Sequence, residues 1–231
     1  MCGIRLEKLK EAVIDMRFLL NRGYHRKTAA DYITSRYQLN EKERAIIYRA
    51  VYSIKKSEDT LRKILKPEEI KDKVLSIDGF NNIITIENAL KGDVLIKCDD
   101  GLIRDVSYTS RKFKFSENTN KALNMIFEAL KVYKPSKIHF FFDKQISFSG
   151  EIASMVRLKM KNENIIGDAQ TSSRNDKTII LLGEIVASSD SLIIEKAKNI
   201  FDLAGNIIIS KYNHLTLDIT TFNDGNGPAG I

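Results

Sequence analysis

Four aspartates end or follow separate stretches of the sequence, and three of these stretches are short apolar runs. Asp78 ends "VLSID", Asp143 ends "KIHFFFD" and Asp190 ends "EIVASSD". Asp176 comes after "GDAQTSSRN". Short apolar runs like the three before Asp78, Asp143 and Asp190 are typical of parallel strands that are buried on both faces of the sheet. Because the carboxyl ends of parallel strands lie along one edge of a sheet, the four carboxylates are predicted to meet there.

Carboxylates that lie close together raise one another's pKa unless a cation compensates their charge. Mg²⁺ and Mn²⁺ prefer oxygen ligands, so the predicted cluster indicates a site for one of these ions. The alternative for each aspartate is a helix N-cap, because Asp is one of the favoured capping residues. For Asp176 or Asp190 taken alone the cap is the favoured interpretation, whereas no helix directly follows Asp143.

The elements that would position these residues alternate between strand and helix. Predicted strands are "VLSI", "DVLIKC", "KIHFFF", "ENIIGDAQ", "EIVAS" and "NIIIS", and predicted helices are "NNIITIENAL", "ENTNKALNMIFEALKVY", "SGEIASMVRLKMKN" and "SLIIEKAKNIFDLAG". This alternation predicts an α/β fold of three layers, with a mostly parallel sheet between helices. One segment departs from it, since "DVLIKCDDGLIRDVS" predicts a β-hairpin that turns at residues 99–101.

The N-terminal region, 1–70, predicts a small all-α domain. "RLEKLKEAVIDMRFLLNRG" ends at Gly23, "HRKTAADYITSRYQ" is a second helix, and Asn40 with Glu43 indicates a capping box that opens a third. "SEDTLRKILKPEE" predicts a fourth helix with Ser57 as its cap. The second and third helices resemble the paired helices of DNA-binding modules, a pattern that any small helical bundle also shows. The predicted domains are 1–70 (basic, helical), 71–222 (α/β) and a flexible tail at 223–231.

Positive charge is concentrated in the same N-terminal region. Residues 1–70 contain 16 Lys and Arg against 10 Asp and Glu, a net charge of +6, whereas residues 71–231 contain 21 against 20. The N-terminal domain therefore has an electrostatic reason to meet a polyanion such as nucleic acid, and the alternative is a solvated helical surface. The candidate phosphate contacts are Arg22, Arg26, Lys27, Arg36, Arg44 and Arg49.

Composition excludes several classes of protein. No apolar run approaches the roughly 20 residues that cross a bilayer, so no membrane contact is predicted. The charged N-terminus does not resemble a secretory signal. Cys2 and Cys98 are too few for a disulfide framework or a zinc site, which suits a reducing compartment and predicts a cytoplasmic protein. Neither cysteine has a companion His and Asp nearby, so nucleophilic thiol chemistry is not predicted. The sequence leaves open whether the chain forms a homo-oligomer.

Two stretches of the sequence resemble a known family. "VLSIDGFNNI" is similar to the first motif of the PIN-like nucleases, particularly their NYN branch, and "RNDKTIILLGEIVASSDSLII" is similar to the later part of that pattern. The arrangement of a basic helical segment before this domain also resembles a two-domain archaeal group of uncharacterised proteins that is assigned to the same superfamily. The chain departs from the pattern at Phe80, where Tyr is usual, in the hairpin, and in the short helix after Asp176.

The resemblance implies a role for particular residues. Asp78, Asp176 and Asp190 match the acidic positions that hold a divalent metal in those enzymes. Asp143 matches a strand-end acid that is found in part of the superfamily, and Asn81 matches the Asn of the first motif.

The resulting hypothesis is a metal-dependent nuclease that acts on RNA rather than DNA. Mg²⁺ or Mn²⁺ would activate water and stabilise the charge that grows on the phosphate. Asn81 or Ser191 would orient the phosphate or a bound water, and the basic helices would contact the phosphate backbone.

Other functions fit parts of the sequence. One is a non-catalytic nucleic-acid-binding protein with the same fold. Another is a Toprim-like phosphoryl-transfer domain, which requires a Glu after the first strand and a spaced Asp pair after a later one. Here Asp78 ends the first strand, and the nearest paired acids, Asp99 and Asp100, are adjacent. A purely structural protein would leave the convergent acids unexplained.

Overall fold

The structure, a computed structural model, describes residues 3–106, 113–173 and 175–223, with the backbone alone at 175–177. The helices are α1 (Leu6–Asn21), α2 (Arg26–Arg36), α3 (Glu41–Ala50), α4 (Ile54–Leu61), α5 (Gly79–Leu90), α6 (Glu117–Tyr133), α7 (Ser149–Asn162), α8 (Asn175–Leu182), α9 (Ser191–Lys196) and α10 (Leu203–Tyr212). The strands are β1 (Val74–Asp78), β2 (Leu95–Lys97), β3 (Ile103–Asp105), β4 (Lys137–Asp143), β5 (Gly167–Ser172), β6 (Ile185–Ala187) and β7 (Thr216–Asp218). Short 3₁₀ helices cover Pro67–Ile70, Asn213–Leu215 and Ile219–Thr221.

The strands form two sheets. The larger sheet has the order β5-β4-β1-β6, and all of its neighbouring strands are parallel. The smaller sheet has the order β3-β2-β7, in which β2 is antiparallel to β3 and parallel to β7. The predicted fold class is therefore confirmed: the protein is α/β with a mostly parallel sheet, after an N-terminal group of helices.

The chain divides into two compact units whose boundaries differ from the predicted ones. The first unit, called the helical unit below, comprises Met1–Arg62, Gly92–Tyr108 and His214–Ile231, and the second, the sheet unit, comprises Lys63–Lys91 and Thr109–Asn213. The hairpin of β2 and β3 belongs to the helical unit because Ile96 and Cys98 are buried in the same apolar core as Leu9, Ile46 and Leu217. Residues 224–231, most of the predicted tail, lie outside the described residues.

The two faces of the larger sheet differ in chemistry. Side chains alternate along a strand, so Leu75 and Ile77 face one side and Ser76 and Asp78 the other. On the first side, Phe127 of α6 stacks on Phe140 of β4 with ring centroids 5.9 Å apart. This face is the apolar interior of the sheet unit.

The opposite face carries polar side chains. The pairing register aligns Ser76 with His139 and His139 with Asp168, so these residues share a face with Asp78. Gly183, which follows α8, lies so close to Ser76 that a Cβ there would be 2.6 Å from the Ser76 hydroxyl oxygen. The short helix α8 therefore packs against this polar face.

The capping box, the glycine after the first helix and the hairpin turn are confirmed, and one predicted helix cap is wrong. Asn40 and Glu43 make the capping box of α3, and Gly23, just after α1, has a φ of +83°. The hairpin turns at residues 99–101, where the Gly101 N–H donates to the carbonyl of Cys98. The predicted cap Ser57 is wrong, because α4 begins earlier and Ser53 accepts a hydrogen bond from the Lys56 N–H.

The segment after β6 corrects two predictions. The predicted strand "NIIIS" lies inside α10, and the single predicted helix "SLIIEKAKNIFDLAG" is divided into α9 and the start of α10. Asp202 caps α10 by accepting a hydrogen bond from the Gly205 N–H, and Ile207 and Ile208 are buried. A short apolar run fits a buried strand or a helix equally, so periodicity alone could not decide. In the helix, the third isoleucine of the run, Ile209, is 51% exposed. The strand β7 was not predicted.

Glu43 gives the helical unit a sensitivity to acid. Its carboxylate is fully buried and accepts hydrogen bonds from the Arg5 N–H at 2.8 Å, the Arg5 Nε at 3.0 Å and the Asn40 N–H at 2.9 Å. Burial alone would raise the pKa of Glu43, but these bonds outweigh it and bring the pKa to about 2, from an ordinary 4.5.

We expect the free energy of unfolding to fall as the pH is lowered from about 4.5 towards 2. The folded state holds Glu43 ionised and loses that advantage on protonation, a change of at most about 3 kcal/mol. Urea unfolding at pH 7, 4 and 3 measures it. Glu43→Gln is expected to flatten the dependence, and Glu117→Gln, at an exposed i,i+4 pair with Lys121, is the control. An equally steep dependence in Glu43→Gln would contradict the assignment.

Candidate functional site

The carboxyl ends of β1, β4, β5 and β6 form one edge of the larger sheet. Asp78 ends the inner strand β1, and Asp143 ends its neighbour β4. Asp78 is aligned with Phe141, so Asp143 lies two residues further along β4. Because side chains alternate, both carboxylates belong to the same polar face of the sheet. The structure thus places these two predicted site residues beside each other at one edge.

Asp78 is held by the loop that follows β6. Its carboxylate is buried, with 8% of the residue exposed, and its Oδ2 accepts a hydrogen bond of 3.0 Å from the Ser188 hydroxyl. The Ser188 oxygen in turn accepts a hydrogen bond of 3.1 Å from the Asp190 N–H. Ser188 therefore points its hydrogen at Asp78. Ser188 was not predicted from the sequence, although the small residues in "ASSD" after an apolar run were the available signal.

Two asparagines at the start of α5 fix the same region. Asn81 Oδ1 accepts hydrogen bonds from the Ser189 N–H at 2.9 Å and the Ser189 hydroxyl at 3.1 Å. Buried Asn82, which was not predicted from the sequence, donates through Nδ2 to the carbonyls of Asp78 and Ala187. Asn81 thus positions the loop after β6, and only its Nδ2 could donate to a substrate.

The glycine after Asp78 has a packing role. A Cβ at Gly79 would overlap the ring of Phe142, which also packs edge to face on Phe80 at 5.2 Å. We expect Gly79→Ala to lower the free energy of unfolding by about 1–3 kcal/mol, since overpacking forces the ring aside. Thermal unfolding checks this. The matched control is Gly150→Ala in the first turn of α7, where a Cβ would meet nothing within 4 Å, and equal effects of the two variants would contradict the packing role.

The other predicted ligands have different surroundings. Asp143 is partly buried, and its Oδ1 accepts a hydrogen bond of 2.8 Å from the Gln145 N–H. Asp190 is exposed and forms the N-cap of α9, with Oδ1 accepting from the N–H groups of Leu192 and Ile193, which is the alternative role considered from the sequence. Ser191, the exposed first residue of α9, also lies beyond the end of β6.

The placement of Asp176 is known only through its backbone. It lies in the first turn of α8, after β5, and its side chain is outside the described part of the structure. Within the described residues, no group of three or more His, Cys, Asp and Glu side chains could hold a metal ion. Of the four predicted carboxylates, the described side chains therefore bring only Asp78 and Asp143 to the same face and edge, because Asp190 caps α9 and the side chain of Asp176 lies outside the described part of the structure.

Three of the arginines that were predicted to contact phosphates form ion pairs with acids of the helical unit. Arg36 pairs with Asp15 at 3.4 Å, Arg44 with Asp31 at 2.8 Å and Arg49 with Asp105 at 3.5 Å. The charge of each of these three guanidinium groups is therefore partly neutralised by a neighbouring carboxylate.

Two further arginines lie over aromatic rings. The guanidinium of Arg22 lies over Phe18 at 4.4 Å and that of Arg26 over Tyr52 at 4.3 Å. Burial lowers the pKa of Arg26. Lys27 is exposed in the first turn of α2.

Among the described residues, none of the helices has the length and apolar character needed to span a membrane.

Comparisons with known proteins match both parts of the chain. Residues 67–206 match a domain of unknown function, DUF5616, and residues 8–63 match a protein family of unknown function, DUF434. The uncharacterized protein MJ0935 of Methanocaldococcus jannaschii is 36% identical over 205 residues, which cover 88% of this chain and 96% of that protein. No solved structure matches the chain significantly. Because one family model matches more than half of the chain and the relative aligns along most of both chains, the protein belongs to the DUF5616 family.

Proposed function

We propose that this protein is a nuclease that requires Mg²⁺ or Mn²⁺ and hydrolyses phosphodiester bonds in RNA at the carboxyl edge of the larger sheet. The observation that carries the proposal is the Asp78 carboxylate, buried at the end of an inner strand and oriented by the Ser188 hydroxyl at 3.0 Å. Asp143 supplies a second carboxylate on the same face of the neighbouring strand.

The donor set at this edge suits a hard cation. Asp78 and Asp143 supply carboxylate oxygens, and Asp176 is the proposed third ligand. Mg²⁺ commonly binds through one or two carboxylates and keeps several waters, so a small protein donor set is sufficient. When bound, the ion supplies an activated water and neutralises charge on the phosphate. Asp190 has a positioning role in this proposal, because its N–H orients Ser188 while its carboxylate caps α9.

The residues of the chain itself have distinct tasks. Ser188 fixes the orientation of the Asp78 carboxylate, and Asn81 fixes the loop that carries Ser188 through its bonds to Ser189. The Asn81 Nδ2 remains the proposed donor to a non-bridging phosphate oxygen. The carboxylates alone would repel a phosphate, so RNA can approach this edge only with a cation present. The requirement for a cation distinguishes the proposed nuclease from a protein that only binds nucleic acid.

Cleavage of end-labelled RNA tests the proposal. Single-stranded RNA, hairpin RNA and single-stranded DNA are incubated with the protein in Mn²⁺, Mg²⁺ or EDTA. We expect RNA to be cleaved only with the metal and cleavage to return when excess Mn²⁺ is added to the EDTA sample. Cleavage that persists in EDTA would contradict the metal requirement. RNA binding without cleavage under every condition would favour the non-catalytic alternative.

A further inference from the structure

Ser172 lies beside Asp143 at the carboxyl edge of the larger sheet. It is the last residue of β5 and is aligned with Asp143, the last residue of β4. Its backbone carbonyl accepts a hydrogen bond of 3.1 Å from the Lys144 N–H, which fixes it to the end of β4. Because aligned residues of neighbouring strands point to the same side of a sheet, Ser172 shares the polar face with Asp143.

A contact between two hydroxyl groups joins this strand end to the helix α8. The Ser172 Oγ and the Thr178 Oγ1 lie 3.3 Å apart, so one of them donates a hydrogen bond to the other. Both residues are partly buried, and Thr178 is the fourth residue of α8. This bond, called the hydroxyl contact below, therefore ties the first turn of α8 to the end of β5.

The middle and the end of α8 are held in other ways. Ile179 is fully buried, and the backbone at Gly183 packs closely against β1. Leu181 and Leu182 are exposed, so the second half of this eight-residue helix buries little apolar surface. An isolated helix shorter than about 12 residues is marginally stable. The first turn of α8 therefore depends on tertiary contacts such as the hydroxyl contact.

The hydroxyl contact is close in sequence to the proposed metal ligand Asp176. The backbone of Asp176 lies in the first turn of α8, four residues after Ser172 and two before Thr178. Residues three apart in a helix share a side, so position 176 belongs to the same side of α8 as the buried Ile179, the side that packs on the sheet. A tether at Thr178 thus restricts the movement of this turn relative to Asp143.

We propose that Ser172 and Thr178 are positioning residues, which hold the first turn of α8 at the carboxyl edge where the divalent cation would bind. This inference rests on the proposed nuclease function and adds two residues to its metal site. Ser188 has the corresponding role for Asp78, because its hydroxyl fixes that carboxylate. Groups that orient the ligands of a metal without binding it commonly contribute about 10- to 100-fold to metal affinity.

A purely structural role of the hydroxyl contact predicts a different result. A hydrogen bond that only stabilises the fold would change the free energy of unfolding and leave the affinity for metal unchanged. A positioning bond acts through Asp176, so its loss matters only while Asp176 can bind the cation. Removing both groups should then weaken metal binding no more than removing the Asp176 carboxylate alone, which a double-mutant cycle measures.

Calorimetric titration of the whole chain with Mn²⁺ tests the proposal. We expect Thr178→Val and Ser172→Ala each to weaken Mn²⁺ binding about 10-fold, and Thr178→Ser, which keeps the hydroxyl, to stay within about twofold. The double variant Asp176→Asn/Thr178→Val should bind as weakly as Asp176→Asn. The matched control is Ser210→Ala, which removes a 2.8 Å hydrogen bond to the Ile207 carbonyl in α10 and should bind Mn²⁺ normally.

Unchanged Mn²⁺ affinity in Thr178→Val would overturn the proposal, and Ser172→Ala decides if thermal unfolding shows that Thr178→Val is not folded. Thr178→Ser as weak as Thr178→Val, or a double variant several-fold weaker than Asp176→Asn, would also reject it. The expected binding pattern without RNA cleavage would reject only the nuclease function. Metal-dependent cleavage with normal Mn²⁺ affinity in Thr178→Val would reject only the positioning role. Failure of the unmodified protein to bind Mn²⁺ would reject both.

Discussion

Asp78→Asn is expected to lower metal-dependent RNA cleavage by about 100-fold or more while the protein stays folded. Asparagine has the same size, and its Oδ1 can still accept the hydrogen bond from Ser188. It lacks the negative charge that a divalent cation needs from its ligand, and loss of a group that merely supports a metal ligand already costs about 10- to 100-fold. Initial rates with end-labelled RNA in Mn²⁺ measure the effect, and thermal unfolding checks the fold.

Asp168→Asn is the matched control for this variant. Asp168 is exposed on β5 of the same sheet, aligned with His139, four residues before the carboxyl end of that strand. The control should cleave at the unmodified rate. Asp143→Asn is expected to show a smaller loss, and calorimetric titration with Mn²⁺ should show weaker metal binding. Equal rates for Asp78→Asn and Asp168→Asn would exclude this edge of the sheet as the site of cleavage.

Arg104→Met is expected to lower the free energy of unfolding by about 3–5 kcal/mol, because it breaks a buried ion pair and leaves one charge uncompensated. The side chains of Arg104 and Asp100 are 5% and 2% exposed. Nη1 and Nη2 of Arg104 each donate a 2.7 Å hydrogen bond to one carboxylate oxygen of Asp100. Without the guanidinium, the Asp100 carboxylate would stay buried with its charge unbalanced. Urea unfolding at pH 7 measures the change.

An exposed pair of the same unit provides the comparison. Lys97 and Asp218 are 3.0 Å apart and their side chains are 41% and 33% exposed, so Lys97→Met should cost less than about 1 kcal/mol. The double variant Asp100→Leu/Arg104→Met, which removes both charges, should recover much of the stability lost in Arg104→Met. A cost for Arg104→Met no larger than that for Lys97→Met would show that the buried pair contributes little.

The sequence was sufficient to predict the fold class because its signals are local. The apolar runs around β1, β4 and β6 have the length of strands, and the capping box at Asn40 and Glu43 marks a helix start by itself. Which segments of the chain belong to each of the two units was not predictable in this way. It depends on pairing between residues far apart in sequence, such as Leu95 with Thr216 in β2 and β7. No periodicity within either segment indicates that partner.

The candidate site was predictable to a similar extent. Asp78 and Asp143 followed from the rule that parallel strands end on one edge. Ser188 and Asn82 were missed because their roles depend on register: the alignment of Ile77 with Ala187 is what brings Ser188 to Asp78. For Asp190, the sequence permitted a ligand or a cap, and only the positions of the N–H groups in α9 show that its Oδ1 caps the helix.

The discontinuous course of the helical unit has a consequence for synthesis of the chain on the ribosome. Its apolar core contains Leu9 and Ile46, but also Leu217 and Ile219, which are translated much later. All residues of the sheet unit, 63–91 and 109–213, have been translated before those last core residues. The segment that emerges first must therefore wait, with part of its apolar surface uncovered, while the domain encoded after it is completed. Nascent chains stalled before His214 should consequently be protease-sensitive within the segment Met1–Arg62.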